Sequence, residues 1–329
     1  MKRWLGPAGV VVAGVAMAAC SNEKSPSILD PQGSEARTLA GVWWLMFGLA
    51  AAVYVIVAGL ILFAILRNRR SGPRESRLND NAFVVIGGLL VPVAILAVIA
   101  FVTVRTTTEV RQPEAGAMRV DVRAHDWWWE VRYPGTGIVT ANEIHIPVGR
   151  QVAVHIRTAD VIHSFWVPQL AGKLDAIPGQ DNLLRFTAER AGVYRGECAE
   201  FCGIQHANMN FLVIAEDPTR FGQWEQTEAQ GAGLPTDDRS EQGRLVFERE
   251  ACAGCHTIRG TSAAGTAGPD LTHMGSRRTI GAATVPNTTA NLAGWIADAQ
   301  SIKPGNKMPS IILEPADLLA LVHYLQEQK

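Results

Sequence analysis

Two short cysteine motifs in the second half of the chain have the residue types and spacing of redox-active metal sites. In the first, CAEFCGIQHANM, Cys198 and Cys202 lie four residues apart and are followed by His206 and Met209. Thiolates and thioethers are soft ligands and imidazole suits copper, so the loop could hold two copper ions bridged by both thiolates. Zinc, which also uses cysteine and histidine ligands, and a simple disulfide are the alternatives.

A copper pair needs one more strong ligand from outside this loop. His163, in VIHSFWVPQL, follows a predicted strand of the same region and is the candidate. Met209 would be a weak axial ligand of one copper, and the backbone carbonyl of Glu200 could serve the other. Copper is favoured over zinc because zinc has no need of the methionine and carries out no redox chemistry.

The second motif, CAGCH at residues 252–256, is the Cys-x-x-Cys-His signature of c-type haem attachment. Cys252 and Cys255 would form the two thioether bonds to the haem, and His256 would ligate the iron. It follows a predicted amphipathic helix, which is the usual context of such a site. A zinc knuckle or a reactive dithiol is the alternative interpretation.

The iron also needs a sixth ligand from the opposite side of the haem. Met308, in NKMPS before the last predicted helix, is the candidate, and Met274 and His273 are the alternatives. A methionine–histidine pair raises the reduction potential of a haem.

Two uncharged segments, residues 43–66 and 82–104, are each long enough to cross a bilayer as a helix. The segment between them, residues 67–81, is rich in arginine, so the positive-inside rule places it in the cytoplasm and both termini outside. Pro92 interrupts the second segment, which membrane helices tolerate. The pattern predicts a transmembrane hairpin.

The first 19 residues have the features of a secretory signal: two early positive charges, a short apolar run and small residues before Cys20. The sequence around Cys20 resembles a bacterial lipoprotein processing site, although Met17 stands where leucine is usual. We therefore predict lipidation of Cys20, followed by an extracytoplasmic segment over residues 20–42. A signal cleaved elsewhere, or an uncleaved N-terminus, is the alternative.

Beyond the hairpin the pattern of apolar residues divides the chain into two further domains. Residues 118–217 alternate with period two, which predicts short strands in a small antiparallel sandwich. Residues 218–240 are polar and predict a linker, and residues 241–329 alternate helical segments with glycine-rich loops. The formal net charge of −1 gives no indication of nucleic-acid binding.

Two membrane helices followed by a strand-rich domain with HSFWVP and CAEFCGIQHANM resemble subunit II of the haem-copper cytochrome c oxidases, over roughly residues 35–217. The resemblance implies a cupredoxin-type domain with the dinuclear copper centre called CuA. It further implies that the Glu200 side chain contributes to a magnesium site at the interface with subunit I. The implied copper ligands are His163, Cys198, Glu200 through its carbonyl, Cys202, His206 and Met209.

The fused C-terminal domain extends the resemblance to subunit II of caa-type oxidases, over nearly all of the mature chain. The implied fold is that of a multidomain membrane protein: a two-helix transmembrane hairpin, an all-β cupredoxin-like CuA domain and an all-α class I cytochrome c domain. The implied location is the bacterial inner membrane, with multiple passes and with both redox domains on the periplasmic side. Oxidase subunits I and III would be the partners within the bilayer.

The implied function is electron transfer within a proton-translocating cytochrome c oxidase. The haem would accept electrons from a cytochrome c or another periplasmic donor, and CuA would pass them to subunit I, where oxygen is reduced to water. No catalytic residue is expected in this chain, and Trp127, in HDWWWEVRY, matches the family's electron-entry tryptophan. A packing role for Trp127, a CuA-containing subunit of a nitric oxide reductase and a membrane-anchored electron carrier are the alternatives.

Other residues are not expected to take part. His145 and His155 lie opposite the apolar faces of their predicted strands and are expected to be solvated. Val85 and Gly88 occupy the places before Pro92 where the mitochondrial pattern has Glu and Trp, so a proton-entry role is not predicted.

Overall fold

Two long helices open the described part of the chain, which in this computed structural model comprises residues 26–68, 80–111, 115–250 and 252–329. Cys20, the predicted signal and most of the predicted cytoplasmic loop lie outside these residues. Helix α1 spans Ser34–Asn68. The second helix consists of α2, Asp80–Val85, a π-helical turn and α3, Val91–Arg111. Both predicted membrane spans lie within helices that are long and apolar enough to cross a bilayer.

The π-helical turn, Ile86–Leu90, lies directly before Pro92. Proline has no backbone N–H, and its ring would collide with the carbonyl of Gly88, four residues earlier, in a regular α-helix. A wider turn is one of the recognised ways in which a helix accommodates this collision. The second span is therefore irregular in its N-terminal third.

The N-terminus of α1 is attached to the β domain that follows the hairpin. The Glu35 side chain is 5% exposed, and its carboxylate accepts a hydrogen bond from the Thr187 N–H at 3.0 Å. Gly33 forms an antiparallel bridge with Ala188, and Arg37 pairs with Glu189. The predicted extracytoplasmic segment is therefore helical from Ser34 and helps to fix the β domain relative to the membrane helix.

The β domain is a sandwich of two five-stranded sheets. The strands are β1 Met118–His125, β2 Trp128–Tyr133, β3 Ile138–Ala141, β4 Glu143–Pro147, β5 Val152–Thr158, β6 His163–Trp166, β7 Leu174–Ala176, β8 Asn182–Phe186, β9 Gly192–Cys198 and β10 Asn210–Glu216. One sheet has the order β3-β2-β1-β5-β8 and the other β4-β10-β9-β6-β7.

The sandwich is not wholly antiparallel, as the sequence pattern had suggested. Strands β1 and β5 pair in parallel, and so do β4 and β10. The reason is the path of the chain. After β3 the chain crosses to the second sheet as β4, and it then returns to the first sheet as β5, which runs in the same direction as β1. The period-two prediction itself is confirmed, since Val152, Val154 and Ile156 on one face of β5 are fully buried.

The predicted linker, residues 218–240, is only partly a linker. Helix α4, Pro218–Glu228, is capped by Asp217, whose side chain accepts from the Thr219 and Arg220 amides. Its Trp224 stacks on His145 with ring centroids 4.3 Å apart. The expectation that His145 is solvated was therefore wrong, because α4 covers it and because Glu216 lies 3.0 Å from its ring.

The described residues of the C-terminal domain form five α-helices, a short 3₁₀ turn at Met274–Ser276 and one small ladder. The helices are α5 Asp238–Arg249, α6 Cys252–Cys255, α7 Thr289–Ala297, α8 Ala299–Ile302 and α9 Pro315–Glu327. Strands β11, Thr279–Ile280, and β12, Val285–Pro286, form an antiparallel pair within this otherwise helical domain. A separate cluster of buried side chains, including Phe247, Leu292, Leu321 and Tyr324, forms its core.

Close packing of α5 on α9 depends on Gly243. A Cβ atom at this position would collide with the carbonyl oxygen of Ala320 and would lie 2.7 Å from the Cβ of Tyr324. The first contact is with backbone, which cannot move aside as a flexible side chain can. Glycine therefore sets the separation of the first and last long helices of the domain.

We predict that Gly243→Ala destabilises the C-terminal domain by about 1–3 kcal/mol through overpacking. Native-state hydrogen exchange of the α9 amides measures the change. Gly294→Ala is the matched control: Gly294 is exposed within α7, and its nearest neighbour for an added Cβ is 3.9 Å away. There we expect a gain of up to about 1 kcal/mol from helix propensity. If both substitutions changed the stability of the domain equally, close packing at Gly243 would not be the cause.

Candidate metal and haem sites

Five of the six predicted copper ligands lie in one loop, residues 198–209, called the copper loop below. Cys198 is the last residue of β9, and Met209 directly precedes β10. The Cys198 N–H donates to the Met209 carbonyl at 3.0 Å, which brings the two ends of the loop together. A 3₁₀ turn over His206–Asn208 folds the intervening chain back towards the cysteines.

The structure brings the other four predicted donors around the sulfur atoms of Cys198 and Cys202. The Sγ atoms of Cys198 and Cys202 are 3.8 Å apart. The neighbours of Cys198 Sγ are His163 Nδ1 at 3.9 Å and the Glu200 carbonyl oxygen at 3.3 Å. The neighbours of Cys202 Sγ are His206 Nδ1 at 3.7 Å and Met209 Sδ at 3.8 Å.

This donor set fits a thiolate-bridged copper pair. The two sulfur atoms are much farther apart than the ~2.05 Å of a disulfide bond. Each sulfur has its own imidazole and its own weak donor, and the presence of a thioether favours copper over zinc. His163 and Met209 are fully buried and both cysteines are 6% exposed, whereas His206 is half-buried, so most of the donor atoms are shielded from water.

A carboxylate orients the histidine that comes from outside the loop. His163 Nε2 lies 2.7 Å from Asp160 Oδ1, and an ionised carboxylate can only accept, so Nε2 carries a proton. The lone pair of the neutral ring is then on Nδ1, the atom that faces Cys198. Burial lowers the pKa of His163, but its hydrogen bonds with Cys198 and Asp160 outweigh burial and raise it.

The Cys198 thiol is set up to lose its proton. The hydrogen bond with Cys202 lowers the pKa of Cys198, burial opposes this, and the interaction with the His163 ring lowers it further. Metals bind cysteine as the thiolate, so this environment favours the ligating form.

Trp127 lies on the copper loop. It occupies the turn before β2, and its indole Nε1 donates to the Cys202 carbonyl at 2.8 Å. Gly203 supports this contact, because its φ of +111° favours glycine and because a Cβ there would lie 3.0 Å from the indole ring. Trp129, in contrast, is fully buried beside Phe165 and Phe211 in the core beneath the site.

The predicted haem-attachment residues occupy α6 and the position after it. His256 Nδ1 lies 2.8 Å from the Pro269 carbonyl, which can only accept, so Nδ1 carries the proton and Nε2 the lone pair. Burial lowers the pKa of His256 and so favours the neutral ring. A neutral, oriented imidazole beside two unpaired cysteine thiols, Cys252 and Cys255, fits a covalently attached haem.

The alternative sixth ligands are engaged elsewhere. Met274 is 4% exposed in the core of the domain, where its sulfur faces Arg277 at 3.9 Å. His273 Nε2 donates to the Gln230 carbonyl at 3.1 Å. Met308 lies in the loop of residues 303–308, called the methionine loop below. Its position there is fixed by hydrogen bonds with Gln300 and Asn306.

The copper loop and the methionine loop touch each other, which the sequence did not reveal. Gln205 Nε2 donates to the Pro304 carbonyl at 2.5 Å. Lys307 Nζ lies 3.0 Å from Asp126 Oδ2, next to Trp127. The haem-attachment domain therefore docks on the side of the β domain that carries the predicted copper ligands.

Comparison with known proteins finds two family domains in the chain. A family profile described as "Cytochrome C oxidase subunit II, periplasmic domain" matches residues 136–216, and one described as "Cytochrome c" matches residues 240–329. The crystal structure of the periplasmic domain of subunit II of cytochrome oxidase from Bradyrhizobium japonicum is 30% identical and covers 35% of this chain and 95% of its own, with a TM-score of 0.34.

Two full-length relatives carry the identification. "Cytochrome c oxidase subunit 2" of Alkalihalophilus pseudofirmus is 35% identical over 321 residues, which are 94% of this chain and 93% of that protein. The protein of the same name from Bacillus subtilis is 31% identical over 296 residues and covers 82% of each chain. The chain therefore belongs to the cytochrome c oxidase subunit 2 family and carries a cytochrome c domain at its C-terminus.

Proposed function

We propose that the chain receives electrons in its own haem domain and delivers them through the copper loop to subunit I. The observation that supports this most strongly is the direct contact between the methionine loop and the copper loop, through Gln205 and Pro304. A route within one chain needs no diffusional encounter between the two redox domains.

As a member of this family, the chain is a subunit of an oxidoreductase complex, with subunit I as its partner. The two family domains imply a copper centre and a haem, which would supply one-electron carriers when bound. We propose that Cys252 and Cys255 attach the haem and that His256 and Met308 ligate its iron. The proposed CuA ligands are His163, Cys198, Glu200 through its carbonyl, Cys202, His206 and Met209.

Trp127 is proposed to link the two domains rather than to receive a soluble donor directly. Its indole is hydrogen-bonded to the Cys202 carbonyl, and the methionine loop reaches the adjacent Asp126 through Lys307. A cytochrome c or another periplasmic donor would then dock on the haem domain, since the face beside Trp127 is in contact with that domain.

The finer predictions on placement and assembly follow from the same family. We propose that the two helices span the bacterial inner membrane, beside subunits I and III, with the β and haem domains on the periplasmic side. The Glu200 carboxylate stays the predicted contributor to a magnesium site shared with subunit I. Lipidation of Cys20 likewise stays a prediction.

The full chain, produced with haem-attachment machinery and loaded with copper, tests the proposal. We expect two coppers and one haem per chain, and an unpaired electron shared equally by two copper nuclei in the EPR spectrum. Cys198→Ser should abolish that two-nucleus pattern and leave the haem spectrum unchanged, because one bridging sulfur is lost. One zinc, or a single-nucleus copper signal in the unmodified protein, would exclude CuA.

Asp160→Ala is predicted to lower copper affinity by about 10- to 100-fold, because His163 loses the partner that fixes its tautomer and orientation. Copper titration with a competing chelator measures the change. Asp181→Ala is the matched control. Asp181 also accepts a hydrogen bond from a histidine, His155, at 3.2 Å, but this pair is exposed, and Asp181 lies directly before β8. A similar loss of affinity in both variants would contradict the orienting role of Asp160.

Met308→Leu is predicted to lower the reduction potential of the haem, because the thioether ligand that raises it is lost. Redox titration followed by haem absorption measures the potential. Met274→Leu is the control and should leave the potential close to that of the unmodified protein. If instead Met274→Leu lowered the potential and Met308→Leu did not, Met274 would be the sixth ligand.

A further inference from the structure

Lys303, the first residue of the methionine loop, lies at the centre of the contact between the two redox domains. It follows α8 directly, and its amide donates to the Ala299 carbonyl at 2.9 Å. The residue is only 2% exposed. A buried lysine is unusual, because taking an ammonium group out of water is costly unless it is fully hydrogen-bonded.

Three backbone carbonyls from three separate segments surround the Lys303 ammonium. Its Nζ lies 2.8 Å from the Trp127 carbonyl, 2.8 Å from the Asn208 carbonyl and 3.1 Å from the Gly281 carbonyl. Trp127 and Asn208 belong to the β domain, and Gly281 belongs to the haem domain. One side chain therefore joins the turn before β2, the copper loop and the loop between β11 and β12.

The three carbonyls around Lys303 equal in number the three N–H bonds of its ammonium group. Carbonyl oxygens only accept, and a charged lysine has three N–H bonds and no acceptor. Burial lowers the pKa of Lys303 to about 7, but the three carbonyl acceptors around Nζ match the charged form, which alone has three donors. No shorter or neutral side chain could satisfy all three carbonyls at once, so loss of the ammonium would leave buried acceptors without a partner.

The carbonyls that accept from Lys303 are next to functional residues. Asn208 precedes the predicted copper ligand Met209, and Trp127 is itself hydrogen-bonded to the copper loop through the Cys202 carbonyl. In the haem domain, Lys303 itself lies five residues before Met308, the predicted sixth ligand of the iron. The side chain of Ile204 also lies against Gly305, so the loops are in contact on both sides of the lysine.

We propose that Lys303 is a positioning residue for electron transfer between the two redox domains: its ammonium clamps the methionine loop onto the copper loop and onto Trp127. The clamp fixes the docked arrangement in which the haem domain reaches the copper site. This inference rests on the proposed function, which supplies the haem and the copper pair between which the electron passes.

Hydrogen exchange tests the clamp without reference to activity. Three amides donate across the domain interface: Arg278 and Thr279 to the Glu143 carboxylate, at 2.8 and 3.0 Å, and Asn210 to the Ala282 carbonyl at 3.2 Å. In Lys303→Met, which is one atom shorter and removes the charge and the donors, we expect these amides to exchange roughly 10- to 100-fold faster. Amides within α9 should be unaffected.

The rate of electron transfer from the haem to the copper pair is the second measurement, made by flash photoreduction in the assembled complex. We expect Lys303→Met to lower this rate by about tenfold or more, because without the clamp the docked arrangement opens and the haem and the copper pair lose their fixed separation. Haem and copper content should be unchanged. Lys303→Gln, which retains two donors, should give an intermediate rate. If Lys303→Met does not bind haem and copper, the rate in Lys303→Gln tests the clamp in its place, and a wild-type rate there would overturn it.

Lys307→Met is the matched control. Lys307 lies in the same loop, carries the same charge and also pairs across the interface, but its side chain is 65% exposed. Exposed ion pairs contribute little, so we expect no more than a few-fold change in exchange or rate. Wild-type exchange and rate in Lys303→Met would overturn the clamp. Absence of haem-to-copper transfer in the wild-type complex would instead overturn the proposed function.

Discussion

The hydrogen bond from the Cys198 amide to the Met209 carbonyl closes the copper loop, and the rest of the site depends on this closure. It continues the antiparallel ladder of β9 and β10, so the separation of the two loop ends is set by sheet geometry. Within the closed loop, the 3₁₀ turn returns His206 to the cysteines. Because the ladder itself rests on a buried aromatic core of Trp129, Phe165 and Phe211, the donors are held on a rigid base.

Both candidate sites use the same means to prepare a histidine for a metal. In each, one ring nitrogen is bound to a group that can only accept: Asp160 for His163 and the Pro269 carbonyl for His256. The lone pair is thereby assigned to the nitrogen that faces the cysteines in the first case and is left on Nε2 in the second. Such preparation fixes the orientation of each ring and the nitrogen that is free to bind a metal.

The arrangement also connects the redox domains with the membrane. Glu35, at the start of α1, binds the backbone of the β domain, and the haem domain binds the opposite part of that domain through Glu143 and Lys303. The β domain is thus held on two sides by buried polar groups whose partners are backbone atoms. Such contacts fix relative positions more strictly than apolar packing alone, because they are lost if either partner moves by about an ångström.

The sequence alone determined the chemistry and most of the fold class, because the donors of each motif lie within about a dozen residues and the helical and strand periods are local. It predicted the membrane hairpin, the sandwich, the helical haem domain and the family, and it nominated His163 from its place after a predicted strand of the same region. It did not predict the parallel pairings, helix α4 or the burial of His145, since these depend on contacts between distant segments. Only the tertiary structure decided that Asp160 and the Pro269 carbonyl orient the histidines and that Lys303 joins the domains. Backbone carbonyls have no signature in a sequence, and which of them meet a given side chain is set by the packing of the whole chain.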